Sequence, residues 1–186
     1  AAVVTERLFV AVLPPPDVVE AWDAFFEPRR DAEPDFRWTV PQGWHLTCAF
    51  LPGVPATLVD PLGEALGEVA ARTAAFDVRI AGGGALPDPG HAKVLFLRVA
   101  EGTGDLGRLA TRCRNAAAGC GIEVEGGRFR PHLTIARTRP FAARRWLTIL
   151  DAVPSAAWTV DRFALVRSRS LPGGAGYEIV GDYALG

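Results

Sequence analysis

Two stretches decide how this chain reads: Trp44 to Leu51, WHLTCAFL, and Phe129 to Arg137, FRPHLTIAR. Each carries the tripeptide His-Leu-Thr, at 45 to 47 and again at 132 to 134. In the first, Leu46, Cys48 and Phe50 are apolar at every second position. A strand there puts those three on the core and His45, Thr47 and Ala49 on the other face. His132 to Ala136 alternates in the same way, so each copy sets an imidazole beside a hydroxyl on one face. The chain has three histidines, His45, His91 and His132, and two of them stand in identical tripeptides within dissimilar surroundings. That is the mark of a weak internal duplication.

Working outward, Arg7 to Leu13 is a short apolar run closed by Pro14, Pro15 and Pro16, a buried strand ending in a rigid turn. Val18, Trp22, Phe25 and Phe26 recur at helical spacing, with Asp17 as cap. Leu58, Leu62, Leu66 and Val69 give a second helix beginning near Asp60 and Pro61. Strands are expected at Phe76 to Ile80 and Val94 to Val99, with Gly82 to Gly90 as a loop between them. The stripe Leu106, Leu109, Cys113, Ala117 and Cys120 makes a third helix that Gly121 stops. A short helical segment around Phe141 to Leu150 and two strands, Trp158 to Val166 and Tyr177 to Tyr183, complete the reading. No linker divides the chain, so residues 1–186 read as a single bilobal domain.

Composition narrows the class of function. Hydrophobic residues are 49% and charged residues 22% of the 186, the balance of a globular enzyme and not of a disordered chain. The formal net charge is -1, so no general field gathers long nucleic acids and an anionic ligand must be held locally. Lys93 is the only lysine, and arginine is the better bidentate fork for phosphate. Three cysteines, no signal peptide and no apolar run of transmembrane length point to a reduced, cytoplasmic, membrane-free setting.

Two such strands facing across a cleft surround one small anion with two imidazoles and two hydroxyls. Hydrolysis of a cyclic phosphodiester needs a base for the attacking water and an acid for the departing oxygen on the far side of phosphorus. Histidine serves both roles because its ordinary pKa lies near working pH, and no metal or cofactor is required. Thr47, Thr134 and arginine supply donors to the non-bridging oxygens. From Arg128 to Arg145 there are six arginines and no acidic residue. Arg130 and Arg137 flank the second motif most closely. Arg137, five residues past His132, needs a bend or strand end after Ala136 to face the site, while Arg130 has the right parity but Pro131 interrupts the run. Trp44, beside His45, is a further candidate to line the groove. His91 reads as a solvated loop residue, and Cys113 and Cys120 as core.

These residues resemble the two-histidine phosphoesterase superfamily, whose mark is two His-x-Thr-x motifs, here His45-Leu46-Thr47-Cys48 and His132-Leu133-Thr134-Ile135. Arg7 to Ala11, Leu46 to Leu51 and Phe129 to Arg137 are similar to the RNA 2',3'-cyclic phosphodiesterase branch, once called 2'-5' RNA ligases. Ser168 and Tyr177 fall where that branch's final hairpin carries serine and tyrosine, which makes Tyr177 a substrate-binding candidate. The resemblance implies an α+β fold with two pseudo-symmetric lobes, each an antiparallel sheet backed by helices, around a central groove. It implies that His45 gives a proton to the leaving 3'-oxygen, that His132 takes one from water, and that a 2'-phosphomonoester results. Pro52 is an insertion relative to the family pattern and alters the loop after the first motif.

The expected partners are RNA 3' ends or cyclic nucleotides as substrate, with no obligate protein partner and a monomeric state. The same groups would run the reverse reaction, 2'-5' RNA joining. Two alternatives stay open on sequence alone: a non-catalytic RNA-end or nucleotide-binding module on the same fold, and a phosphodiesterase for another cyclic or 2'-5'-linked nucleotide.

Overall fold

The computed structural model describes residues 3–172 and 174–186. Two antiparallel sheets carry the fold. The first has the order β3-β1-β8-β9, with β1 (Thr5–Val12), β3 (Leu46–Pro55), β8 (Arg162–Leu171) and β9 (Gly174–Ala184). The second has the order β2-β6-β5-β4-β7, with β2 (Arg37–Trp38), β4 (Phe76–Leu86), β5 (Ala92–Glu101), β6 (His132–Phe141) and β7 (Ala156–Val160). Helices α2 (Val59–Ala71) and α3 (Thr103–Gly119) pack on each other and against β3, β8 and β9. Helix α4 (Arg144–Asp151) packs on β4. Helix α1 (Pro16–Ala32) sets Phe26 against Trp38 of β2 and donates Trp22 Nε1–H to the Pro154 carbonyl at 2.8 Å. This is the α+β, two-lobed arrangement expected, and β3 and β6, the two motif strands, approach each other across the groove.

A repeated irregularity governs what faces that groove. On β1, Val10 pairs with Ala49 and Ala11 with Thr47, so Cys48 is the extra residue of a β-bulge. On β5, Leu95 pairs with Ala136 and Phe96 with Thr134, so Ile135 is extra in the same way. A bulge inverts the side-chain phase beyond it. Leu46 and Cys48 therefore face the core before the first bulge, and Ala49 and Leu51 do so after it. Phe50, expected inside, turns onto the groove face. In β6 the inversion at Ile135 buries Ala136 and turns Arg137 outward. The bend that Arg137 needs thus lies one residue before Ala136, while the strand runs on to Phe141.

Four other expectations are corrected. Gly82 to Leu86 is strand, not loop. Glycine is required there because a Cβ on Gly83 would stand 2.6 Å from the Phe96 carbonyl oxygen and 2.7 Å from Leu150 of α4. The run Trp158 to Val166 is two strands in different sheets, since the chain crosses over at Asp161. Helix α1 is capped by Pro15 without a side-chain bond, and Asp17 lies in its first turn, where a negative charge meets the helix dipole. Pro52 does not end β3: with Gly53 it forms a further bulge opposite Arg7, a position that an edge strand tolerates. Strand β2, two residues long, has no periodicity to announce it.

The core is a cluster of buried side chains drawn from both sheets and all four helices, Trp22, Phe26, Leu62, Leu106 and Leu150 among them. A smaller cluster, Phe9, Ala11, Ala164 and Val166, lies on the groove side of the first sheet with Phe50 and Tyr177 packed against it. Among the described residues no helix is long and apolar enough to cross a membrane.

Candidate active site

Between the sheets lies a cavity of about 260 Å³ lined by Arg7, Phe9, Thr39, His45, Thr47, Phe50, His132, Thr134, Arg137, Ser168 and Tyr177. Both histidines, both threonines, Arg137 and Tyr177 thus come together, as do the serine and tyrosine of the last hairpin, which are cross-strand partners. His45 immediately precedes β3 and His132 opens β6.

The two rings are held identically. His45 Nδ1 lies 2.6 Å from the Gly43 carbonyl oxygen, and His132 Nδ1 lies 2.6 Å from the Arg130 carbonyl oxygen. A carbonyl can only accept, so Nδ1 carries the hydrogen in each ring. Each Nε2 is then the nitrogen free to accept or donate a proton. Phe9 stacks on His45 at 4.4 Å between centroids, and Phe96 meets His132 edge-on at 5.5 Å. Arg7 lies over the Phe50 ring at 4.9 Å. Burial lowers the His45 pKa below its usual 6.5, opposed by the bond to Gly43 and reinforced by the charges of His132 and Arg137. His132 and Arg137 line the same cavity as His45.

The other candidates fall elsewhere. Trp44 is 2% exposed and packs on Trp22 and Phe26, so it is a core residue and does not line the groove. The reason is parity: it precedes His45 and points to the opposite side. Arg130 contributes its backbone carbonyl to His132, while its exposed side chain is not among the groups lining the cavity. His91 is exposed in a single 3-10 turn, Pro89–His91, that Asp88 caps. Cys48, Cys113 and Cys120 are free thiols, and burial pushes the Cys48 thiol up to about 12.

Sequence reasoning passed over Arg7, Phe9, Thr39 and Phe50. Arg7 and Phe9 carried a signal, since a charge two residues from an aromatic in an apolar strand marks a face that cannot be plain core. Phe50 was hidden by the bulge. No cluster of three or more His, Cys, Asp or Glu able to hold a metal occurs among the described residues. The cavity lining itself includes no carboxylate or thiol.

This constellation, an α+β groove with one His-x-Thr strand from each sheet, defines a class of phosphoesterase. The sequence profile of the 2'-5' RNA ligase superfamily matches residues 14–171, and the chain belongs to that superfamily. It is 34% identical to an RNA 2',3'-cyclic phosphodiesterase of Thermus thermophilus over 194 aligned positions, covering 96% of this chain and 90% of the relative. Against the RNA 2',3'-cyclic phosphodiesterase of Aquifex aeolicus the identity is 27%, over 81% of this chain and 82% of the relative. The crystal structure of E. coli LigT complexed with 3'-AMP superimposes with a TM-score of 0.79 at 24% identity, covering 97% of this chain and 98% of that one.

Proposed function

We propose that this chain hydrolyses 2',3'-cyclic phosphates at RNA ends or on nucleotides to 2'-phosphomonoesters, with His45 and His132 as paired acid and base. The observation that carries the reading is the matched pinning of both rings at 2.6 Å through Nδ1, which reserves Nε2 of each for proton transfer in one cavity. The names of the relatives support the substrate class.

In this mechanism Arg137 and the Thr47 and Thr134 hydroxyls hold the non-bridging oxygens. His132, neutral, takes a proton from the attacking water, and protonated His45 gives one to the departing 3'-oxygen. The free His45 ring is held low by burial, His132 and Arg137. An entering phosphate anion offsets the positive charge of Arg137 and favours protonation of His45, so binding prepares the acid. Each proton transfer contributes about 10²- to 10⁴-fold. The lining offers no carboxylate or thiol to complete a metal's ligand set around the two imidazoles, which supports a reaction run by side chains alone.

The test is release of a 2'-phosphate from a 2',3'-cyclic nucleotide in the presence of a chelator. We expect turnover in the wild type and its loss in His45→Ala and in His132→Ala. Turnover that survives both substitutions, or that a chelator abolishes, overturns the reading.

A further inference from the structure

Next to the two-histidine cavity lies a second one of about 390 Å³, whose lining includes Arg37, Thr39, Val40, Arg137, Leu171 and Tyr177. The two cavities share Thr39, Arg137 and Tyr177, so they are consecutive stations of one groove. Arg37 and Arg137 are direct cross-strand partners in the β2–β6 pair. Partners directly opposite one another project from the same face, and like charges so placed destabilise a sheet. Neither guanidinium has an ion-pair partner among the described residues, although nine such pairs occur elsewhere.

The local sequence insists on this arrangement. Strand β2 is only two residues long. Its Trp38 is tied down by an Nε1–H bond to the Glu33 carbonyl at 3.0 Å and by packing on Phe36 and Trp146. That anchor fixes Arg37 beside Arg137, one interstrand spacing of about 4.8 Å farther out. The same cavity takes in two of the large apolar side chains that the fold leaves exposed, Val40 at 48% and Leu171 at 53%. An unneutralised arginine pair with bare apolar surface beside it matches a nucleotide, with the phosphate on the guanidiniums and the base against the aliphatic groups.

We propose that Arg37 and Arg137 form a second phosphate subsite that takes the phosphodiester preceding the terminal nucleotide, with Val40 and Leu171 contacting the adjoining nucleoside. The substrate class is then an oligoribonucleotide end in preference to a free cyclic mononucleotide. This rests on the function proposed above, which it deepens.

Binding is measured separately from turnover, on the full chain, with 3'-AMP and the dinucleotide ApAp as probes. Both end in a phosphate and only the second has an internal phosphodiester. ApAp should bind about tenfold more tightly. Its affinity should fall more steeply with salt, by about 0.7 in the log–log slope, for the extra phosphate. In Arg37→Gln the affinity ratio and the slope difference should both collapse, and Arg37→Lys should restore the slope but only part of the affinity. Equal affinity for the two probes in the wild type, or a ratio untouched by Arg37→Gln, overturns the subsite. Failure of the wild type to hydrolyse a 2',3'-cyclic nucleotide sinks the catalytic proposal instead, and these binding ratios remain readable in that case.

Discussion

Cys48 and Ile135 occupy the same place in two different strands: each is the extra residue of a bulge three positions after a histidine of the groove. The inversion that follows brings the fifth residue after each histidine onto the groove face, Phe50 in β3 and Arg137 in β6. The duplication is therefore one of backbone irregularity as well as of tripeptide. Its two halves have diverged in what they deliver, an aromatic ring on one side and a guanidinium on the other.

Arg137 should act on both binding and protonation. Arg137→Gln is expected to lower kcat/KM on a cyclic nucleotide by about 10- to 100-fold, the scale of a lost charge-assisted hydrogen bond. It also removes one of the charges that depress His45, so the His45 ring should titrate at a higher pH in the variant. His132→Ala should move it the same way, and inorganic phosphate should move it upward in the wild type. Ring-proton NMR titrations read all three, and an unmoved His45 midpoint in Arg137→Gln would refute the electrostatic link.

The lowered His45 pKa also ties stability to pH. The ring binds a proton more readily when unfolded, so between the two pKa values the unfolded state holds more protons. Its contribution to stability is complete above about 6.5, the unfolded value. It is lost as pH falls from there through the folded value. Thermal melts between pH 7.5 and 5.5 should show a declining Tm, and His45→Phe, which cannot titrate, should flatten the decline. A slope identical in the two proteins would disprove the assignment.

Much of this was legible in the residues. The two His-x-Thr strands, the apolar stripes of α2 and α3 and the proline stop after β1 follow from periodicity, because packing on one face leaves a two- or 3.6-residue signature. Bulges leave none, since one inserted residue looks the same as a continued alternation, and Phe50 was misplaced for that reason. Gly82 to Leu86 misled in the opposite sense. Gly83 and Gly84 answer to Leu150 and Phe96 pressing on the strand, a tertiary cause that a local reading takes for a turn. Arg37 was invisible because a two-residue strand has no pattern, and only its pairing with Arg137 gives it meaning.

Trp44 supplies a test of the core assignment. It is 2% exposed, and its Nε1–H is buried without a hydrogen-bond partner among the described residues. Trp44→Phe loses packing area but also removes an unsatisfied donor whose burial costs about 1–3 kcal/mol, so the two effects offset. Stability should stay within about 1 kcal/mol of wild type, whereas Trp44→Ala should lose about 3–5 kcal/mol. The KM for a cyclic nucleotide should not change in Trp44→Phe. A rise in KM there would put the indole back in the groove.

Gly43 is the point where fold and chemistry meet most closely. Its carbonyl holds His45, and a Cβ added to it would stand 2.5 Å from Tyr177 Cε2, 3.0 Å from Cδ2 and 3.3 Å from Thr39 Cγ2. Its φ is not positive, so alanine suits the backbone and the side chains must give way. The Tyr177 ring, the closest neighbour, should swing out of the cavity it shares with both histidines. Gly43→Ala should therefore cost little stability, under about 1 kcal/mol by denaturant unfolding, while kcat/KM falls about tenfold, since small displacements of positioning groups are expensive. A double-mutant cycle locates the cause. If the ring is what moves, Gly43→Ala costs almost nothing further in a Tyr177→Ala background. If the losses add, the displaced group is the carbonyl that orients His45, and the phenol is a bystander.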